Sequence, residues 1–313
     1  MTRIVVSLSW LCVVLAYSGC AGGMSTCRIG ADCASGVCLS NGVCGHATDA
    51  GQQGDAYVAP MNDAGTDAAT VVPDVDSGSA VCSPNHDGTV TRAEVPLRAG
   101  LRANFRVATN ATVSTMGTTT GGTRTWDYSG SYSGDQDVLV ELLAPDGAWW
   151  AGSYPNATHA AQLTTSSTNL GVFQITDDAL LLLGVVSPDS GFTQTNLAYD
   201  PPVVVLQFPV AMGGSFSTTS TVTGQASGVT AFYTETYMSN VDASGTLVTP
   251  FGSTPALRVS TQMTRTSGFA TLTSQRQFTF VAECFGIAAT ITSNAFETNA
   301  EFTTAAEIRR LSP

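Results

Sequence analysis

The chain contains no lysine. Its twelve basic residues are all arginine, set against twenty-four acids, for a net charge of −12. Nucleic-acid binding needs basic patches to meet phosphate, so no nucleic-acid partner is expected. Histidine is also scarce, with His46, His86 and His159 in separate stretches. There is no G-x-S-x-G, no H-E-x-x-H, no phosphate-cradling glycine loop before a helix, and no C-x-x-C redox pair. A Ser-His-Asp site would have to assemble from residues distant in the chain. Asp135 and Asp137 stand together in a turn, where two acids usually just face water. The expectation is a protein that is not an enzyme. Helical periodicity is missing too: past the N-terminus only "TTAAEIRRL" offers a short 3.6 period, and it also alternates.

What is present begins with an export signal. "MTR" supplies a positive charge, Ile4 to Ala16 is apolar but too short for a permanent span, and "YSGC" closes the stretch with small residues. Ser18, Gly19 and Cys20 resemble the bacterial lipobox, although Tyr17 stands where that pattern prefers leucine. The resemblance implies that residues 1–19 are removed and that Cys20 receives the lipid, the membrane being reached through residues 20–26. Cys12 leaves with the signal, which leaves Cys27, Cys33, Cys38, Cys44, Cys82 and Cys284. An even number in an exported chain favours disulfides. The x5, x4, x5 spacing over 27–44 lacks the close pair a zinc site uses. Residues 27–44 are therefore read as a disulfide knot, and Cys82–Cys284 as the remaining pair, tying the start of the domain to a late strand.

The knot, with "DCASGVC" inside it, resembles short cysteine-rich modules, including the N-terminal segment of Dickkopf proteins and the knots that follow lipoboxes in bacterial surface lipoproteins. It implies a staple and no signalling activity. Residues 45–81 are rich in Ala, Asp and Gly, with six aspartates and no arginine from Asp49 to Val81. Such a composition cannot bury enough apolar surface to offset chain entropy and reads as a disordered acidic linker, with an r.m.s. span of roughly 30 Å.

From Cys82 to Pro313 the pattern is that of strands. "LRAGLRANFRVAT" alternates, with Leu97 to Val107 on one face and Arg98, Arg102 and Arg106 on the other. Turn signals recur at 133–135, 145–147, 177–178, 188–189 and 242–245. "ALLLLGVV" (179–186) and "VVVLQF" (203–208) are apolar on both faces, so each strand needs cover on both sides. The expected fold is all-β: an antiparallel β-sandwich, or a large curled sheet or half-barrel. "VDASGTLVTPFGSTPALRV" (241–259) resembles a hairpin phrase of uncharacterised secreted bacterial proteins, with Gly245, Pro250 and Gly252 as its turn points.

Candidate sites are few. "SPNHDGTVTRAE" (83–94) has the rhythm of a calcium loop through Asn85, Asp87 and Glu94, although Ser83 replaces a carboxylate. Its other reading is an Asx turn. Trp126, Trp149 and Trp150 could form a sugar platform or a core, and the arginine ladder could meet an anion or pair with neighbouring acids. The expected role is a cell-surface or outer-membrane lipoprotein presenting a β-domain to a protein or glycan ligand. The alternative is a carrier of lipid or another apolar ligand in a half-barrel cavity.

Overall fold

Threonine, valine and aromatic residues at alternate positions favour a pleated, half-buried backbone, and residues 82–313 of the computed structural model are built that way throughout. Cys20, the four knot cysteines and the linker lie outside the described residues. Among the described residues the only helical pieces are single 3-10 turns at Arg92–Glu94 and Ala151–Ser153. The strands are β1 (Thr89–Val90), β2 (Arg102–Thr112), β3 (Thr118–Thr120), β4 (Thr123–Asp127), β5 (Gln136–Glu141), β6 (His159–Gln162), β7 (Leu170–Ile175) and β8 (Ala179–Val186). They continue with β9 (Asn196–Gln207), β10 (Val210–Ala211), β11 (Ser215–Ala226), β12 (Val229–Thr249), β13 (Gly252–Ser267), β14 (Ala270–Ala282), β15 (Gly286–Ser293) and β16 (Thr304–Leu311).

Twelve strands form one antiparallel sheet in the order β5-β2-β16-β15-β14-β13-β12-β11-β9-β8-β7-β6. Its two edges almost meet. Leu143, just past β5, and Ala160 of β6 each donate their N–H to the other's carbonyl, at 2.7 and 2.9 Å. The sheet is thus nearly closed into a barrel, and this bridge brings together the two edges that would otherwise be free to template pairing with another chain.

Both sides of the wall are covered. On one side Phe278, Phe280 and Ala282 of β14 pack with Trp126, Tyr128, Ile291 and Ile308. Trp126 meets Phe280 edge-on at 5.0 Å between ring centroids. This cover comes from β4, which pairs with β3 and runs parallel to β12 at Thr246–Val248. On the other side Val281 packs with Leu257, Val259, Leu180 and Leu206, so β8 and β9 face β13 and β14 across the interior. Leu182, Val203, Tyr199 and Val222 extend that packing. The apolar run of β8 has partners on both faces, Leu183 and Val186 turning outward onto Trp150 and Tyr154. On β9 the buried Val203 and Leu206 join the interior packing, while Val204 and Val205 are half-buried and Gln207 is exposed.

Two local expectations fail for physical reasons, and one reading left open between helix and strand resolves as strand. The strand expected from Leu97 starts only at Arg102, because Gly100 takes φ +85° and Leu101 donates its N–H to Arg98 O, making a turn. Asp242 to Gly245 is not a turn but part of β12. A register shift between Val241 and Ala243 aims the extra residue, Asp242, at Arg258, and Gly245 leaves room for β4, since a Cβ there would strike the Arg124 carbonyl. "TTAAEIRRL" is strand β16.

Cys82 and Cys284 form a disulfide with Cα atoms 5.4 Å apart, across a sequence separation of 202. The bridge pins the start of the domain to the β14–β15 turn. Loop-closure entropy for so long a separation predicts that the Cys82→Ser/Cys284→Ser double variant loses roughly 2–5 kcal/mol, measured as a lower midpoint in urea. An unchanged midpoint would show that the staple contributes nothing.

Candidate functional site

The residues singled out from sequence disperse. Asn85 and Asp87 form an Asx turn: Asp87 N–H donates to Asn85 Oδ1 at 2.9 Å, and Thr89 N–H to Asp87 Oδ1 at 2.8 Å. Glu94 instead accepts from the N–H and hydroxyl of Thr91, capping its own 3-10 turn. Among the described residues no three His, Cys, Asp or Glu side chains gather as a metal site. Asp135 and Asp137 part company, Asp135 to Arg310 and Asp137 to Arg106 at 2.9 Å. Of the arginine ladder, only Arg102 and Arg106 lie on β2.

The sugar-platform reading of the tryptophans is corrected by their burial. Trp126 and Trp150 are core residues, and Trp149 donates its indole N–H to Ser187 O at 3.1 Å. His159 is equally committed: it is buried and stacks on Phe173, with ring centroids 5.3 Å apart.

Two ionic clusters were not visible in the sequence. Arg258, 3 % exposed at its side chain, donates to Asp242 Oδ1 at 2.9 Å, to Glu301 Oε1 at 2.7 Å and to Thr115 O at 2.6 Å. Its guanidinium lies 4.2 Å from the Phe278 ring centre. On the interior face, Glu235 of β12 stands opposite Arg265 of β13 and accepts its Nε–H at 2.7 Å. Tyr237 donates to the same carboxylate, and Arg265 lies over Tyr233. Burial, with Tyr199 and the Glu235 charge beside it, holds the Tyr237 phenol well above its usual pKa. These donors and acceptors satisfy one another, so both clusters act as structural cross-links.

Large apolar side chains are exposed at several places, Met116, Phe251, Phe285 and Phe296 among them, and the four most exposed share one rim. The β8–β9, β11–β12 and β13–β14 connections lie side by side at one end, because β9 pairs with β11 and β12 with β13. Each carries Ser-Gly followed by an apolar residue: Ser190-Gly191-Phe192, Ser227-Gly228-Val229 and Ser267-Gly268-Phe269. The geometry follows from the glycines. Ser227 (φ +50°) and Gly228 (φ +80°) form a two-residue type I′ loop, and Gly268 (φ +57°) supplies the positive first position of the next hairpin. Gly228 N–H donates to Gln194 O at 2.9 Å and Ser227 N–H to Thr195 Oγ1 at 3.1 Å, locking the first two tips together. Phe192 and Phe269 are essentially fully exposed, Val229 is 69 % exposed and Phe232 beside it 71 %. Asp189 is the single charge within the segments 187–195, 226–230 and 266–271. The rim lies at the far end of β14 from Cys284, thirteen residues or roughly 40 Å away. The triplet itself was legible in the sequence; its convergence required the strand order.

Two outcomes test the buried groups. Arg258→Met leaves Asp242 and Glu301 facing each other without a cation, which should cost about 3 kcal/mol in a urea titration. Burial lowers His159 from its usual 6.5 to about 4, so the folded chain refuses a proton that the unfolded chain accepts. Its stabilisation is present above pH 6.5 and is lost as pH falls toward 4, by about 3 kcal/mol in all. His159→Gln should flatten that part of the pH–stability profile; an unaltered slope would refute the assignment.

No protein-family model and no curated protein matches the chain. Among solved structures it is similar to a protein of Bacteroides fragilis that is inferred to be exported and described as having a YmcC-like fold. That likeness has 11 % identity and a TM-score of 0.33, and covers 68 % of this chain and 96 % of the other.

Proposed function

We propose that this chain is an exported, lipid-anchored surface protein, without catalytic activity, that presents its β-domain as a recognition module, with the Ser-Gly-apolar rim as the contact face. The observation that carries this reading is the contrast between a committed interior and an uncommitted rim. Inside, Leu180, Leu206 and Val259 interlock, and Glu235, Arg265, Arg258 and Arg310 are bonded to partners. At the rim, three neighbouring tips expose apolar side chains. Large hydrophobic groups in water on a cluster of loops mark an interaction surface. Two concavities of about 220 and 290 Å³ lie at the opposite end, the first around Phe251 and Phe285 and the second around Phe208 and Phe216. Each is smaller than the several hundred Å³ a drug-sized ligand pocket commonly spans.

Anchoring and presentation are separable by experiment. Cells fed a labelled fatty acid should label the protein, and Cys20→Ala should abolish the label. A mutant that stays labelled and membrane-bound would refute the anchor. Native mass spectrometry of the Cys20→Ala chain should give the mass of the polypeptide alone. A stoichiometric acyl chain would instead make the barrel a lipid carrier.

A further inference from the structure

We infer that the rim docks on the surface of a phospholipid bilayer, its tips entering the interfacial layer between headgroups and acyl chains. This rests on the rim being the contact face. Two features favour lipid over a protein partner. The tips project singly from separate turns: Phe192 and Phe269 have almost no neighbouring surface covering them. A bilayer accepts isolated projecting side chains, whereas a protein needs a complementary pocket for each.

Charge supplies the second argument and sets the lipid preference. Asp189 is the single charge in the three segments, and the tips are otherwise flanked by Ser, Thr, Gln and Gly. With no cation in those segments to meet anionic headgroups, attachment depends on apolar area alone. The hydroxyl and amide groups around the tips suit the hydrogen-bonding headgroup layer, and the locked Ser227-Gly228 turn and Thr195 hold two tips at fixed spacing, so little ordering is lost on contact.

The test uses the mature chain from residue 20 carrying Cys20→Ala, so that neither the apolar stretch Ile4–Ala16 nor an N-terminal acyl chain contributes, and sucrose-loaded phosphatidylcholine vesicles. It is compared with the same chain carrying Phe192→Ser, Val229→Ser and Phe269→Ser. All three side chains are exposed, so the variant should melt at the parental temperature, which circular dichroism checks. The parent should sediment with the vesicles, and the variant's partition coefficient should fall at least roughly tenfold. Binding should be equal at low and high salt and gain nothing from added phosphatidylserine. Equal partition of parent and variant would overturn the inference, as would binding that rises with anionic lipid. A parental dimer in sedimentation velocity that the variant lacks would also overturn it, assigning the rim to a second copy. The recognition reading fails by a different result: an acyl chain retained in the native mass spectrum after the vesicles are removed.

Discussion

Phe280 and Val281 are consecutive residues of β14, and both are completely buried. Consecutive side chains on a strand point to opposite faces, so the centre of this sheet must be dry on both sides. With only two single 3-10 turns among the described residues, no helix can supply either cover. The sheet has to supply both. It curls until β8 and β9 reach across to β13 and β14, which covers Val281. It also sends β3 and β4 back over the outer side, where Trp126 closes on Phe280. Curling that far brings β5 and β6 within reach of each other, and the Leu143–Ala160 bridge follows. Sandwich and half-barrel, open alternatives from the sequence, are here two descriptions of one curled sheet.

Parts of this were legible in local pattern. "ALLLLGVV" and "VVVLQF" are apolar without alternation, which argues for two covers; β8 has both, and β9 is buried toward the interior with Val204 and Val205 half-buried. The alternation of Phe278, Phe280 and Ala282 marks one face of β14 and hides the equally buried Val281 on the other, while Cys284 lies past the strand's end, in the turn. Failures came where a residue's role is set by a distant strand. Gly245 reads as a turn, yet it is there to admit the Arg124 backbone, 121 positions earlier. Asp242 reads as a turn residue, yet a bulge delivers it to Arg258. The Glu235–Arg265 pair depends on a register between two long strands that neither strand's pattern specifies. The rim shows the same split: each Ser-Gly-apolar triplet is a local turn signal, and only the order β9-β11-β12-β13 brings the three together.

Charge is distributed by the same logic. Of the ten arginines from Cys82 onward, Arg258, Arg265, Arg309 and Arg310 are engaged with Asp242 and Glu301, Glu235, Glu307 and Asp135 respectively. Buried guanidinium–carboxylate clusters are weak sources of net stability, but removing one member is costly. Arg258–Asp242 and Arg265–Glu235 join the neighbouring strands β13 and β12, whereas Arg309–Glu307 lies within β16. Spending cations there leaves the rim segments with none, and their polarity comes from Ser, Thr, Gln and Gly. A surface of that kind stays hydrated without long-range electrostatic attraction, so its phenylalanines and valine set the strength of any contact through area alone. The ionic cross-links inside the wall and the salt-independent contact expected at its edge are therefore two consequences of one allocation of charge.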